Sequence, residues 1–242
     1  MRVRWVTWDV KDTLLRVRHS VGEQYCGVAR ELGLTLDPEA VEAAFHSAYR
    51  QQQRRQPLYG GAGGGSARTW WGEVVCGTFR SCGVEDGERL RLLAERLYQG
   101  FSGPAHWEVF PDVTRALQGC GARGLAQAVL SNFDGRLEDV LRGCGLREHF
   151  RFVLTSESAG AAKPDSRAFL RLLELAGQPA PGEVAHVGDS YQNDYLPARA
   201  LGLHAFLLQR GSEEGGGGLE VPPHHRLRSL DELLPRLEQD LD

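Results

Sequence analysis

After Pro111 the chain alternates short apolar strands with amphipathic helices, and this pattern leaves few folds open. Runs at 125–130, 152–154, 184–187 and 203–208 are short and largely apolar, as buried strands are. Helical periodicity fills the gaps near 137–144, 166–176 and 194–201, the last two stopped by Gly177 and Gly202. Such alternation builds a parallel sheet with helices on both faces, because a parallel connection needs a crossover. Another strand opens the chain at 3–8, yet the alternation resumes only after Pro111. In between, Val21, Tyr25, Val28 and Leu32 share one helical face. Asp37-Pro38 starts a second helix, and Leu90, Leu93 and Leu97 mark a later one. An all-helical block therefore interrupts an α/β domain just after its first strand. The expected division is 1–16 with 106–242 for the core, and 17–105 for the inserted helices. Ser229 and Glu232 are expected to form a capping box for the last helix.

In an open parallel sheet, ligands bind beyond the carboxyl ends of the strands. Asp9 ends the first strand and Ser131-Asn132 the second. Lys163-Pro164-Asp165 lies downstream of the third, and Gly188-Asp189 ends the fourth, with Asp194 five residues on. Composition singles out some of these. Of 28 basic residues only Lys11 and Lys163 are lysines, and the only asparagines are Asn132 and Asn193. A chain that uses Arg elsewhere keeps Lys where a compact, rotatable ammonium is needed. Carboxylates, a hydroxyl and a lysine brought together suit nucleophilic displacement at an oxyanionic substrate.

Composition also excludes partners. A net charge of −4 with scattered arginines argues against a nucleic-acid surface. No apolar run approaches the roughly 18 residues of a membrane helix. The expected partner is a small anionic substrate, with the oligomeric state left open. Five cysteines without a CxxC spacing read as reduced, structural thiols. Since the first strand starts by Val3, no signal peptide is expected. The expected location is intracellular, the cytoplasm first, with nucleus and mitochondrion open. Several motifs are set aside. The GxGxxG pattern at 119–124 precedes a strand and reads as a turn. His224-His225 reads as a solvated loop, Trp70-Trp71 as packing of the helical block, and the glycine run at 215–218 as a loop.

Val6-Thr7-Trp8-Asp9-Val10-Lys11-Asp12-Thr13-Leu14, Ser131, Lys163, and Gly188-Asp189 with Asp194 resemble, in order, the motifs of the haloacid dehalogenase superfamily of hydrolases. The resemblance is to members with a helical cap after the first motif, and it covers nearly the whole chain. Together with the β/α alternation it leads to a Rossmann-like parallel sheet in the order 5-4-1-2-3, strands numbered along the chain, with an all-helical cap. The resemblance implies that Asp9 is the nucleophile and forms an aspartyl intermediate. Ser131, Asn132 and Lys163 would hold the transferring group. Mg²⁺ would be held by Asp9, Asp189, Asp194 and the backbone carbonyl of Lys11.

Lys11 departs from the family pattern. The family's phosphatases carry a second Asp there, which protonates the leaving group and then activates water, and such help is worth about 10²–10⁴ in rate. Asp12, where the family commonly has Gly, should point elsewhere. The Lys11 ammonium is expected within salt-bridge reach of Asp9 or Asp189, where it would weaken Mg²⁺ binding. At an effective dielectric of about 20, a pair 4 Å apart interacts by roughly 4 kcal/mol. Three readings follow. The first is a slow phosphatase acting on a small phosphorylated metabolite and impaired by Lys11. The second is a catalytically quiet binding or regulatory protein. The third is a metal-independent dehalogenase-type hydrolase, because halide leaves without a proton.

Overall fold

A computed structural model describes residues 3–211 and 221–239, so the glycine run at 215–218 lies outside the described residues. Its strands are β1 (Trp5–Trp8), β2 (Leu15–Val17), β3 (Trp107–Val109), β4 (Ala126–Ser131), β5 (Phe152–Thr155), β6 (Val184–Gly188), β7 (His204–Leu208) and β8 (Arg226–Leu227). Six of them form one sheet in the order β5-β4-β1-β6-β7-β8, every neighbouring pair parallel. The five expected strands stand in the expected order. The sheet differs in detail by β8 at its edge, a two-residue strand too short to show any periodicity. Trp8 is level with Val129 on one side and Val187 on the other, and Leu130 is level with Leu154. This register aligns the carboxyl ends of the central strands, where Asp9, Ser131 and Asp189 lie. Trp8 is fully buried, and its indole N–H donates to Gln127 Oε1 at 3.2 Å.

The chain divides into two compact units, residues 1–16, 109–133 and 145–242 forming one, and 17–108 with 134–144 the other. Between residues 18 and 106 the described elements are all helical. They include α1 (Val21–Glu31), α2 (Pro38–Arg55), α3 (Ala67–Ser81) and α4 (Gly87–Gly100), with N-caps at Ser20, Asp37, Ser66 and Asp86. Each cap oxygen accepts from backbone N–H groups that the first helical turn cannot satisfy. Tyr25, Ala29, Val41, Phe79, Leu93 and Leu97 are buried in the core of this unit. A two-stranded ribbon of β2 and β3 lies where the chain passes from one unit to the other.

The grouping extends the expected helical block by 106–108 and by 134–144. Asp134 and Arg136 account for the second segment. Arg136 Nε and Nη2 donate to the two Asp134 oxygens at 2.8 and 2.7 Å, and Trp71 Nε1 donates to Asp134 Oδ2 at 2.7 Å. The guanidinium lies over the rings of Trp71 and Tyr98, 5.0 and 4.3 Å from their centroids. These contacts bind the segment to α3 and α4. Periodicity along the chain does not report such a pairing.

Two smaller expectations change. His225 is buried rather than solvated, and the Tyr195 hydroxyl lies 2.8 Å from its Nδ1. The Ser229–Glu232 capping box does not close. Ser229 Oγ accepts from Asp231 N and donates to Asp112 Oδ2, whose carboxylate is the stronger acceptor. A short 3-10 element spans Leu58–Gly63. Trp70 is buried against Tyr49, Tyr59 and Trp71 within the helical unit. The five cysteines are free, and burial raises each thiol. No helix among the described residues is long and apolar enough to cross a membrane.

Replacing Arg136 by Met should leave the Asp134 carboxylate buried without its counter-ion. We expect a loss of about 3–5 kcal/mol, read as a fall in the urea midpoint. A change below about 1 kcal/mol, the value of an exposed pair, would show that the pair is solvated.

Candidate active site

Three strand ends and one helix entry deliver the side chains. Asp9 follows β1, and its N–H donates to Val187 O at 2.9 Å, continuing the ladder to β6. Ser131 ends β4. Lys163 stands before helix Ser166–Leu175, which Asp165 caps by accepting from Arg167 N. Gly188 ends β6, and the π turn Tyr191–Tyr195 that follows presents Asp194.

Lys163 is the centre of the arrangement. Its side chain is 2% exposed, and its ammonium donates to Asp9 Oδ1 at 2.8 Å, Leu130 O at 2.9 Å and Asp194 Oδ1 at 2.5 Å. Those bonds use the three donors an ammonium has. Asn132 fixes the lysine's backbone. Its Nδ2 donates to Lys163 O, and its Oδ1 accepts from Lys163 N, both at 2.8 Å. Using both amide ends in this way positions the lysine, whereas the expected role was substrate contact. Ser131 Oγ donates to Asp9 Oδ1 at 3.2 Å.

Two buried residues went unnoticed in the sequence. His186 Nε2 lies 3.1 Å from Asp194 Oδ1, and its Nδ1 lies 2.9 Å from Thr7 Oγ1. Burial lowers the imidazole below its usual range, favouring the neutral ring. Neutral His186 then donates from Nε2 to Asp194, while its Nδ1 lies beside the Thr7 hydroxyl, which donates to Ala185 O at 3.1 Å. A histidine inside an apolar strand, in register with Thr7 on the neighbouring strand, was the available signal. Ser190 N donates to Asp194 Oδ2 at 3.1 Å. A Cβ on Gly188 would stand 2.2 Å from Asp194 Cγ, so only glycine admits this carboxylate.

Asp9, Asp189 and Asp194 each place an oxygen within 4.8 Å of the others. Their protonation is set apart by environment. Burial alone would raise Asp194, but Lys163 and His186 outweigh it and hold that carboxyl well below the usual range. Burial raises Asp9, with Lys163 opposing and Asp194 adding to the shift. For Lys163, burial opposes the charge, while Asp194 and Asp9 more than offset it and raise the ammonium. Asp189 stands at the rim, where crowding by the protein and then the charges of Asp9 and Asp194 push it up to about 7. Thr13 Oγ1 donates to Asp189 Oδ1 at 3.4 Å. A cluster of hard oxygens with a concentration of negative charge is chemically suited to Mg²⁺.

Lys11 does not make the expected bridge. Among the described residues its ion pair is with Asp12 Oδ2, at 2.5 Å, and its side chain is 56% exposed. Asp12 adopts φ 65° with its N–H bonded to Leu15 O at 2.7 Å, in the turn that follows β1. An exposed carboxylate next door satisfies the ammonium without desolvation, and Lys163 already neutralises Asp9. No contact therefore supports Lys11 as a competitor of Mg²⁺. A pair this exposed contributes only ~0–1 kcal/mol.

Two measurements probe this geometry. Gly188→Ala should displace Asp194 and destabilise the fold by about 1–3 kcal/mol; an unchanged melting temperature would contradict the close approach. If Mg²⁺ binds through Asp189, it must displace a proton there below about pH 7 but not above it. Calorimetric affinity should therefore rise about tenfold between roughly pH 6 and 8 and lose that dependence in Asp189→Asn. A flat profile in the unsubstituted protein would remove Asp189 from the site.

The family model for haloacid dehalogenase-like hydrolases matches residues 3–202. Haloacid dehalogenase-like hydrolase domain-containing protein 3 of Danio rerio is 52% identical over 240 residues, covering 99% of this chain and 98% of that one. A solved 2-haloacid dehalogenase from Pseudomonas syringae pv. Tomato DC3000 shares the fold, with TM-score 0.71, 21% identity and 98% and 99% of the two chains covered. A phosphatase from Thermococcus onnurineus does so too, with TM-score 0.64, 22% identity and 98% of each chain covered. The first motif, the placement of Asp9, Lys163 and Asp194 beyond the carboxyl ends of the central strands, and these matches agree: the chain belongs to the haloacid dehalogenase-like hydrolase family.

Proposed function

We propose that the chain is a hydrolase working through a covalent intermediate on Asp9, with a small phosphorylated, anionic substrate. One observation carries this reading. Both hydrogen bonds that hold Asp9 fall on Oδ1, from Ser131 and Lys163, so Oδ2 is the oxygen placed to attack. Holding one oxygen while the other reacts fixes the direction of attack, which is how positioning lowers such a barrier. Lys163 then offsets the charge that collects around the transferring group. Ser131 offers its hydroxyl to the same place.

Asp9, Asp189 and the backbone carbonyl of Lys11 would hold Mg²⁺, with Asp194 in support. Bound there, the ion would neutralise oxyanion charge on the transferring group. Turnover is slow in this reading, because residue 11 supplies no carboxyl for the proton cycle. That same observation favours a second reading, a catalytically quiet binding or regulatory protein on this fold. Dehalogenase-type hydrolysis remains the third chemistry, because a halide leaves without a proton.

Asp9→Asn should abolish turnover of a generic phosphomonoester and binding of beryllium fluoride, while the melting temperature stays within a few degrees. A neutral amide cannot make the attack. Hydrolysis continuing at the unsubstituted rate would place the chemistry elsewhere. Release of chloride from a 2-chloroacid without Mg²⁺, lost in the same variant, would favour the dehalogenase reading.

A further inference from the structure

We infer that this site takes phosphoryl groups from donors whose leaving group departs as an anion without a proton, acyl phosphates foremost, and that the phosphoryl group then persists on Asp9. The inference rests on Asp9 as nucleophile and names the substrate class of that site.

The argument begins with the groups that could follow the leaving oxygen. The Lys163 ammonium already donates to three acceptors, and Ser131 already donates to Asp9. Asp194 receives Lys163, His186 and the Ser190 N–H, and its back is against Gly188. Asp189 is the remaining carboxylate of the cluster, and under the proposed function it is a Mg²⁺ ligand, so it carries no transferable proton while the cation is bound. Lys11 stands exposed against Asp12, two residues beyond Asp9. No carboxylic acid of the cluster is left to protonate a leaving group.

An alcohol expelled without such help leaves as an alkoxide, a base comparable to hydroxide, whose conjugate acid has a pKa of about 15.7. A carboxylate leaves as a far weaker base, with a conjugate acid near 4. In the first step an Asp9 carboxylate oxygen forms a bond to phosphorus. The bond from phosphorus to the acyl oxygen breaks with its electron pair, and the carboxylate departs. One mixed anhydride replaces another, so this transfer is close to thermoneutral, whereas transfer from an alkyl phosphate runs uphill.

The second step lacks a base. Water must attack phosphorus, break its bond to Asp9, restore that carboxylate and release hydrogen phosphate with one proton to solvent. A lysine ammonium cannot take the proton from the attacking water. Donation is therefore fast relative to release, and the aspartyl phosphate accumulates.

The test uses the full chain with Mg²⁺, acetyl phosphate, and a series of aryl phosphates of graded leaving-group acidity. Leaving-group release is timed, and the acid-quenched protein is weighed intact. The rate should fall steeply as the leaving group becomes more basic. The protein should gain the mass of one phosphoryl group from acetyl phosphate, removable by hydroxylamine and absent in Asp9→Asn. In Lys11→Asp the dependence should flatten and the retained phosphoryl should vanish, with turnover of the poorer donors rising by about 10²-fold or more. Asp9-dependent turnover that is indifferent to the leaving group, with no retained phosphoryl, would overturn this inference and leave the nucleophile standing. Phosphoryl retained equally by Asp9→Asn would overturn the nucleophile itself, and this inference with it.

Discussion

A single ammonium, that of Lys163, sits out of water between two carboxylates, and the site depends on it. Removing a charge from solvent costs several kcal/mol unless the lost hydration is replaced. Here Asp9, Asp194 and the Leu130 carbonyl replace it, one for each proton. Asp9 follows β1 and Asp194 comes from the π turn after the neighbouring β6, and their mutual repulsion would be costly without the shared cation. The surrounding features serve this arrangement. Asn132 clamps the lysine's backbone, His186 and the Ser190 N–H hold Asp194, and Gly188 leaves space for it. Nucleophile, cation and support therefore form one network, and a change at Gly188 should be felt at Asp9.

The two lysines show what a sequence can and cannot reveal. Both are conspicuous by their rarity, but rarity carries no direction. Lys163 follows a strand and precedes a capped helix, so its inward course could be read from local grammar. Lys11 lies in a turn whose geometry depends on the left-handed backbone of Asp12, and that turn sets the ammonium against Asp12 instead of Asp9. Asp9, Ser131, Asp189 and Asp194 were legible because chemistry in a parallel sheet collects at strand ends. His186 and Thr7 were not, because inside a strand a polar residue looks like an interruption until its cross-strand partner is known. β8 escaped because two residues show no period. The place of 134–144 escaped because a buried ion pair with Arg136, far along the chain from its aromatic partners, decides it.

Membership of the family accounts for the fold, and under the proposed covalent chemistry at Asp9 a single position would govern what that chemistry accomplishes. With a carboxylate at residue 11, a proton would pass to the leaving group and later be taken from water. With Lys11 held at Asp12, neither transfer has a nearby carrier. On the inference above, displacement and hydrolysis would separate in rate, and the same pocket would act as an acceptor that empties slowly. The hydrolase reading thus turns on the lifetime of one bond, between Asp9 and phosphorus, whereas the catalytically quiet reading forms no such bond.

The central claim is that, of the two lysines, Lys163 alone has a buried ammonium and the ammonium of Lys11 lies outside the site. With only two lysines in the chain, ¹⁵N-lysine labelling reads this directly through the side-chain ammonium correlations near neutral pH. The account predicts one slowly exchanging ammonium signal, retained in Lys11→Arg and shifted in Asp194→Asn, while the exposed Lys11 exchanges too fast to be seen. A protected signal that disappears in Lys11→Arg, or no protected signal at all, would contradict it.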